Sequence, residues 1–198
     1  MLKVNKKSEP EEFTKYKSKN KIINWDSFTT EIKQVLKQYL LEEQENRCCP
    51  YCEIEINLDK SHIEHIKPKN TFPKLLSDYN NFIACCLTKK RCGDSKASEW
   101  NELFINPVIE NPEDYFKYDI KTGKIISIFK DGEKYEKAKY TINLLNLNDN
   151  RLCEIRKRYI FEFLSYSKYN KNSLSDYPIK FPSLRRYLEL LQKLNLQF

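Results

Sequence analysis

Both histidines of the chain and six of its seven cysteines fall between Cys48 and Lys96. The stretch reads Cys49-Pro-Tyr-Cys52, then His62-Ile-Glu64-His65-Ile-Lys67-Pro68-Lys69, then Tyr79-Asn-Asn81-Phe-Ile-Ala-Cys85-Cys86, then Cys92-Gly93-Asp94-Ser-Lys96. Two cysteines three apart can place both sulfurs on one tetrahedral ion, with Pro50 favouring the tight turn. Cys86 and Cys92 could complete a four-thiolate zinc site, although Cys85 could replace Cys86 and Cys48 could replace Cys49. Between the thiolate pairs lie an imidazole, acidic side chains and an amide. With zinc ligands outside and reactive groups inside, this order predicts a metal-held hydrolytic site of the kind a nuclease uses.

Cleaving a phosphodiester requires an activated water, an acid for the leaving oxygen and a cation to neutralise developing charge. An imidazole with an ordinary pKa of about 6.5 is neutral near pH 7 and still accepts a proton. His65 is therefore the expected general base. Glu64 and Asp94 offer hard oxygen ligands suited to Mg²⁺ or Mn²⁺. His62 lies three residues before His65, so on an extended strand the two face opposite sides. Its expected role is supporting, against phosphate or zinc or hydrogen-bonded within the strand, and Lys67, Lys69 and Lys96 are near enough in sequence to bind phosphates.

Several elements must position these groups. Phe28, Ile32, Val35, Leu36, Tyr39 and Leu40 recur at helical spacing, and Asp26 or Ser27 is the expected N-cap. That helix ends at the first cysteines and should fix their orientation. Ile54 and Ile56 alternate with polar residues, and Ser61 to Ile66 is β-prone, so a two-stranded ribbon is expected between the cysteine pairs. Asp78 or a nearby Asn is expected to cap a short helix running through Ala84. Further on, Tyr115–Ile120 and Lys124–Phe129 flank Gly123 as a predicted hairpin. Helical patterns follow over residues 133–145, 151–166 and 182–194. In the second of these, Leu152, Ile155, Tyr159 and Phe163 form one apolar stripe, with Arg156, Lys157 and Arg158 facing largely elsewhere.

Composition bounds the partners. The 198 residues are 40% apolar, enough for one core or a core with a small lobe. No apolar run reaches the length needed to span a bilayer, and the first residues lack the apolar core of a secretory signal. The expectation is a cytoplasmic protein with reduced thiols, where cysteines favour metal over disulfide. The net charge of +7 sits at the two ends: residues 1–22 carry 7 basic against 3 acidic groups, and residues 151–198 carry 10 against 4. Such ends could hold a phosphate backbone. The first residues, lacking an apolar period, read as a mobile arm.

Taken together, Cys49-x-x-Cys52, Ile63-Glu64-His65-Ile66, Asn81-Phe82, Cys86 and Cys92-Gly-Asp94-x-Lys96 resemble the HNH endonucleases of the ββα-metal, or His-Me finger, class. More narrowly, they resemble the PtuB family, the HNH component of Septu-type antiphage systems found also beside some retrons. The strong likeness covers Arg47 to Lys96. It implies that Glu64 and Asp94 hold the catalytic ion and that Asn81 orients the catalytic histidine or the finger loop. It also implies control by a PtuA-like ATPase, and in some settings a retron reverse transcriptase with its msDNA. Asp94 stands where the family often has His or Asn, and the Cys86-to-Cys92 spacing exceeds the usual C-x-x-C.

The resulting expectation is an α+β fold with a zinc-stapled ββα-metal HNH finger, an N-terminal helix and a mostly helical C-terminal region. The divisions are a basic flexible arm over 1–24, a nuclease core over 25–104 and a hairpin with helices over 105–198. The competing expectation is a non-catalytic zinc-knuckle module that binds nucleic acid or protein.

Overall fold

The protein, seen in a computed structural model that describes residues 1–169 and 176–194, is α+β. Its helices are α1 (Glu11–Lys19), α2 (Thr30–Glu43), α3 (Gly93–Lys96), α4 (Gly132–Leu144), α5 (Asn150–Tyr169) and α6 (Pro182–Lys193). Two small antiparallel sheets pair β1 (Ser61–His65) with β2 (Phe82–Cys86) and β3 (Phe116–Tyr118) with β4 (Ile125–Ser127). No described helix is long and apolar enough to cross a membrane.

β1, β2 and the single-turn α3 follow one another in the order expected of the finger, but not over the expected residues. His62 lies opposite Cys85, Glu64 opposite Ile83 and His65 opposite Phe82. Phe82–Cys86 is thus a buried strand, where a helix through Ala84 was expected. Asp78 does cap, accepting from Asn80 N–H, but what it caps is a one-turn 3₁₀ segment over Tyr79–Asn81. A short apolar run has no period to separate strand from helix, and its aromatic and β-branched start, Phe82-Ile83, favours the strand. The expected ribbon of Ile54 and Ile56 against Ser61–Ile66 is replaced by a tight knuckle. Cys49 N–H donates to Ile54 O at 2.9 Å, Glu53 N–H to Cys49 O at 2.8 Å, and Ile56 N–H to Arg47 O at 2.9 Å.

A two-stranded sheet leaves backbone groups open at its edges, and here side chains close them. The buried Gln44 amide, just beyond α2, accepts from Ala84 N–H at 2.7 Å and donates to Ala84 O at 3.1 Å and Cys48 O at 3.0 Å. Lys6 donates to Phe82 O at 3.1 Å and pairs with Glu43. The N-terminal residues are consequently not a mobile arm. Leu2 N–H donates to Pro50 O and Val4 N–H to Pro107 O, and Leu2, Val4 and Phe13 are buried. Nor does α2 begin at the expected cap: Asn24 accepts from Asp26 and Ser27 N–H in a preceding turn, and Thr29 caps α2 at Ile32 N–H.

The predicted hairpin is present, with Gly123 at φ +69° in its turn. A β-carbon there would come within 2.3 Å of Cys153 O, so the close approach of α5 as well as the turn requires glycine. The three C-terminal helices lie where the pattern placed them. Arg156, expected to face away from the core stripe, is instead fully buried over the Tyr118 ring and donates to Leu147 O at 2.8 Å. One buried apolar cluster runs from Met1 to Leu188, so the finger and the C-terminal region share a core.

Glu53 is the polar joint of that core. Its carboxylate accepts from the Met1 amino group (2.6 Å), Tyr118 Oη (2.8 Å), Ser183 Oγ (2.6 Å) and Ser183 N–H (2.8 Å). Burial alone would raise its pKa, but the Met1 ammonium and the Ser183 donors outweigh it and hold the carboxyl at about 2. Glu53→Ala, which leaves these donors buried without an acceptor, is expected to cost about 3–5 kcal/mol of stability, read by denaturant unfolding. Because the folded pKa lies below the unfolded one, the carboxylate stabilises at neutral pH, and that contribution is lost as pH falls from about 4.5 towards about 2. Glu53→Gln should flatten the fall of Tm with pH across that window; an unchanged slope would refute the assignment.

Candidate functional site

Four sulfurs converge under the finger. The Sγ atoms of Cys49, Cys52, Cys86 and Cys92 all lie within 4.8 Å of one another, and all four residues are buried. A tetrahedral ion with bonds of about 2.3 Å needs sulfurs about 3.8 Å apart. Cys52 and Cys86 Sγ are 3.8 Å apart, so the donors fit zinc in chemistry and spacing. Burial pushes the Cys49 and Cys92 thiols well up, while hydrogen bonding from the surrounding thiols, Cys49 first, holds Cys86 down. Cys48, the alternative to Cys49, instead lies 3.7 Å from Asn46 O. Cys85, the alternative to Cys86, lies just outside the four. Its Sγ is 3.8 Å from Cys49 Sγ and accepts from Gly93 N–H at 3.4 Å.

The alternation of β1 divides the reactive groups between two faces. His62 and Glu64 share one, with His62 Nε2 3.4 Å from Glu64 Oε2. His65 occupies the other, its ring edge-on to Trp25 and Phe82 at 4.8 Å from each. His65 Nε2 lies 3.1 Å from Leu76 O. A carbonyl only accepts, so Nε2 carries the proton and Nδ1 is the basic nitrogen. Burial lowers the pKa of this imidazole, which keeps it neutral at pH 7. Asn81 fixes the loop that supplies Leu76: its Oδ1 accepts from Lys67 N–H at 2.8 Å, and its Nδ2 donates to Lys67 O at 2.9 Å and Leu75 O at 3.4 Å.

No family model matches the chain. Curated relatives do. The "putative HNH endonuclease" of retron Vc95 from Vibrio cholerae serotype O1 biovar El Tor is 28% identical over 194 residues, 91% of this chain and 94% of that protein. Its namesake of retron Ec83 from Escherichia coli is 24% identical over 208 residues, 82% and 80% of the two chains. The Septu protein PtuB of Bacillus thuringiensis is 32% identical over 123 residues, 59% of this chain and 42% of PtuB. The chain resembles these two retron proteins named as HNH endonucleases, and PtuB. The likeness supports a nuclease role, and α+β architecture with a four-cysteine cluster is consistent with an HNH finger.

Two residues expected to meet the ion or the phosphate spend their charged groups on other partners. Asp94 is exposed and turned to its own loop, accepting from Lys90 N–H at 2.7 Å and Lys89 Nζ at 3.2 Å. These bonds, with the backbone one first, lower its pKa. Lys96, expected to meet phosphate, is only 1% exposed. Its ammonium is spent inside, on Glu64 Oε1 at 2.8 Å and His65 O at 3.1 Å. Burial pushes the Glu64 carboxyl up, but bonding from His62 and the Lys96 charge outweigh it and hold it below the ordinary value. Lys67 and Lys69 stay half-exposed near the His65 loop, Lys67 over the Phe72 and Trp100 rings and Lys69 over Trp25.

Sequence reasoning missed Arg91 and Gly93. Arg91 is buried beside the cysteines, and the partial negative charge of Cys52, Cys92 and Cys86 helps raise its pKa against the opposing effect of burial. Its cation would offset the excess charge of four thiolates on one divalent ion. Gly93 packs its backbone against both Glu64 and His62. A basic residue next to a cysteine is the only signal for the first, and a glycine directly after Cys92 the only one for the second.

The loop tether gives a direct test of Asn81. Asn81→Ala leaves a buried N–H and two carbonyls without their partner, at a cost of about 1–3 kcal/mol. Thermal unfolding should report that loss, and trypsin should cut faster at Lys69 and Lys74. Unchanged Tm and unchanged proteolysis would show that the amide does not hold the loop.

Proposed function

We propose that this chain is a metal-dependent HNH endonuclease that hydrolyses nucleic-acid phosphodiester bonds, with DNA favoured over RNA. The observation that carries the reading is His65, whose Nε2–H is tied to Leu76 O while Nδ1 has no partner among the described residues. That is the tautomer and orientation a general base needs. The ring is partly buried, so it keeps a neutral, proton-accepting form near pH 7. Glu64, next in sequence and on the opposite face of β1, is ionised and offers Oε2 to a divalent ion, since Oε1 is already bound to Lys96. Such an ion, when bound, would neutralise charge on the scissile phosphate and the departing 3′ oxygen.

Each remaining group has a positioning task in this reading. Asn81 holds the loop whose carbonyl orients His65, and the four cysteines would hold a structural zinc that fixes β2 against α3. Lys67 and Lys69, near the exposed rim of the site, are suited to the phosphate backbone. Non-specific cutting would be toxic to a cell. In this reading the chain is a cytoplasmic effector of antiphage defence controlled by a PtuA-like ATPase and, in a retron setting, associated with a reverse transcriptase and its msDNA; the retron and Septu names of its relatives support the defence setting.

The test is cleavage of labelled plasmid DNA, single-stranded DNA and tRNA by zinc-loaded protein, with and without Mn²⁺ or Mg²⁺, alone and with an ATPase encoded beside it. Divalent-ion-dependent cutting supports the reading and names the substrate. No cutting in any combination, from folded protein, would favour a zinc-knuckle binding module instead.

A further inference from the structure

We infer that His62, and not Asp94, is the side chain that joins Glu64 in holding the divalent ion, and that this nitrogen–oxygen pair makes the site favour Mn²⁺ over Mg²⁺. The inference rests on the proposed nuclease reading for the ion's purpose, while its geometry stands apart from that reading.

Gly93 is the first observation. A β-carbon at this position would fall 2.9 Å from Glu64 Oε2 and 2.9 Å from His62 Nε2. The backbone of α3 therefore closes directly over these two atoms, and any side chain at position 93 would occupy the space between them and the helix. The two atoms are 3.4 Å apart, long for a hydrogen bond but within the span that one ion with bonds of about 2.0–2.1 Å can bridge.

The partners of both side chains point the same way. Glu64 Oε1 is engaged by Lys96, which fixes the carboxylate and turns Oε2 towards His62. The His62 ring makes no short structural bond: Nδ1 is buried without a partner, and Nε2 has only the long contact with Glu64. An ion beside Nε2 would give that nitrogen the close partner it lacks within the fold. A cleft of about 170 Å³, lined by His62, Gly93, Asp94 and Lys89 among others, opens at His62 and gives an ion and its water a way in. Asp94 also lines this cleft, but its two carboxylate oxygens are already bound by Lys89 and Lys90.

The donor set then decides the ion. Imidazole suits transition ions, whereas Mg²⁺ prefers oxygen ligands in strict octahedral geometry. Mn²⁺ accepts both nitrogen and oxygen, and a site with one of each should discriminate against Mg²⁺.

The experiment is Mn²⁺ titration of zinc-loaded protein, followed by the electron paramagnetic resonance of free Mn²⁺, with electron spin-echo detection of nitrogen bound to the ion. The wild-type chain should bind Mn²⁺ with a nitrogen signature and resist displacement by excess Mg²⁺. His62→Ala should lose the nitrogen signature and weaken binding by about tenfold or more. His62→Gln, which keeps a polar side chain of similar reach, should behave alike and guards against loss through misfolding. Gly93→Ala should weaken binding by crowding the same two atoms, and Asp94→Asn should leave affinity within about twofold. Wild-type binding without a nitrogen signature, unchanged affinity in His62→Ala, or an equal loss in Asp94→Asn would each overturn the inference. If Mn²⁺ binds as described yet no nucleic acid is cut, the nuclease reading fails and the ion site stands. If cutting needs His65 while Mn²⁺ binding ignores His62, the ion site fails and the nuclease reading stands.

Discussion

His65→Ala is expected to lower nucleic-acid cutting by about 10²–10⁴-fold, the range a positioned general base supplies. The reason is local. Leu76 O fixes the ring tautomer, so Nδ1 is the nitrogen that can take a proton, and no other imidazole lies on that face of β1. Truncation also removes a ring packed edge-on between Trp25 and Phe82, so a stability loss of about 1–2 kcal/mol should accompany it. His65→Gln refills much of that volume and should restore Tm without restoring activity. Zinc content should be unchanged in both, since His65 is not among the four cysteine residues whose sulfurs converge.

The same residue sets a pH dependence. Burial, the largest influence, lowers the His65 pKa beneath the usual value of about 6.5. A base must be unprotonated, so cutting should be retained at and above neutrality and should fall on the acid side only below about 6.5. A rate profile whose acidic limb lies clearly above that value, or a His65→Gln variant cutting at the parent rate, would remove His65 from the role of base.

What the sequence disclosed and what it hid follow from how far each signal reaches. The Cys49-Pro-Tyr-Cys52 knuckle is legible because two thiols three apart have few other uses in one tight turn. Choosing Cys86 over Cys85 was not possible from spacing, because adjacent strand residues differ only in the face they take, and the face depends on which strand is the partner. That partner was misread: Phe82–Cys86 is too short for a period, and the cap at Asp78 serves one turn rather than a helix. The displaced Asp94 has a related cause. A one-turn helix such as α3 swings its side chains by about 100° per residue, so Gly93 faces Glu64 while Asp94 faces its own loop.

At the other extreme, α4, α5 and α6 were legible because each carries several turns of apolar repeat. The N-terminal residues concealed their packing for the opposite reason. Leu2 and Val4 are only two apolar residues among lysines, and what buries them is the long-range pairing with Pro50 and Pro107. Lys6, read as part of a basic arm, holds a strand edge through Phe82 O, and burial, its largest influence, lowers its pKa. Part of the basic excess at the N-terminal end therefore serves structure, which shifts the burden of phosphate binding towards Lys67 and Lys69.

Cys49→Ser is expected to have the largest effect on folding. Structural zinc sites of this kind supply about 10–16 kcal/mol of apparent binding free energy at neutral pH, comparable to or above the whole stability of a domain. The four sulfurs here join the knuckle, the end of β2 and the start of α3, which are otherwise linked by few regular hydrogen bonds. Without zinc, four buried thiols crowd one another, and Arg91 is left beside them with Nε already unpartnered. The variant, and the parent protein treated with a strong chelator, should lose zinc together with a cooperative thermal transition. Cys48→Ser and Cys153→Ser should retain zinc, because neither sulfur belongs to the group of four. Cys85→Ala discriminates further. Its sulfur lies outside the group of four, accepting from Gly93 N–H and touching Cys49 Sγ, so this variant should keep its zinc while losing about 1–2 kcal/mol of stability. Full zinc stoichiometry and unchanged Tm in Cys49→Ser, or zinc loss in Cys85→Ala with retention in Cys86→Ala, would show that the metal is held by a different set of thiolates.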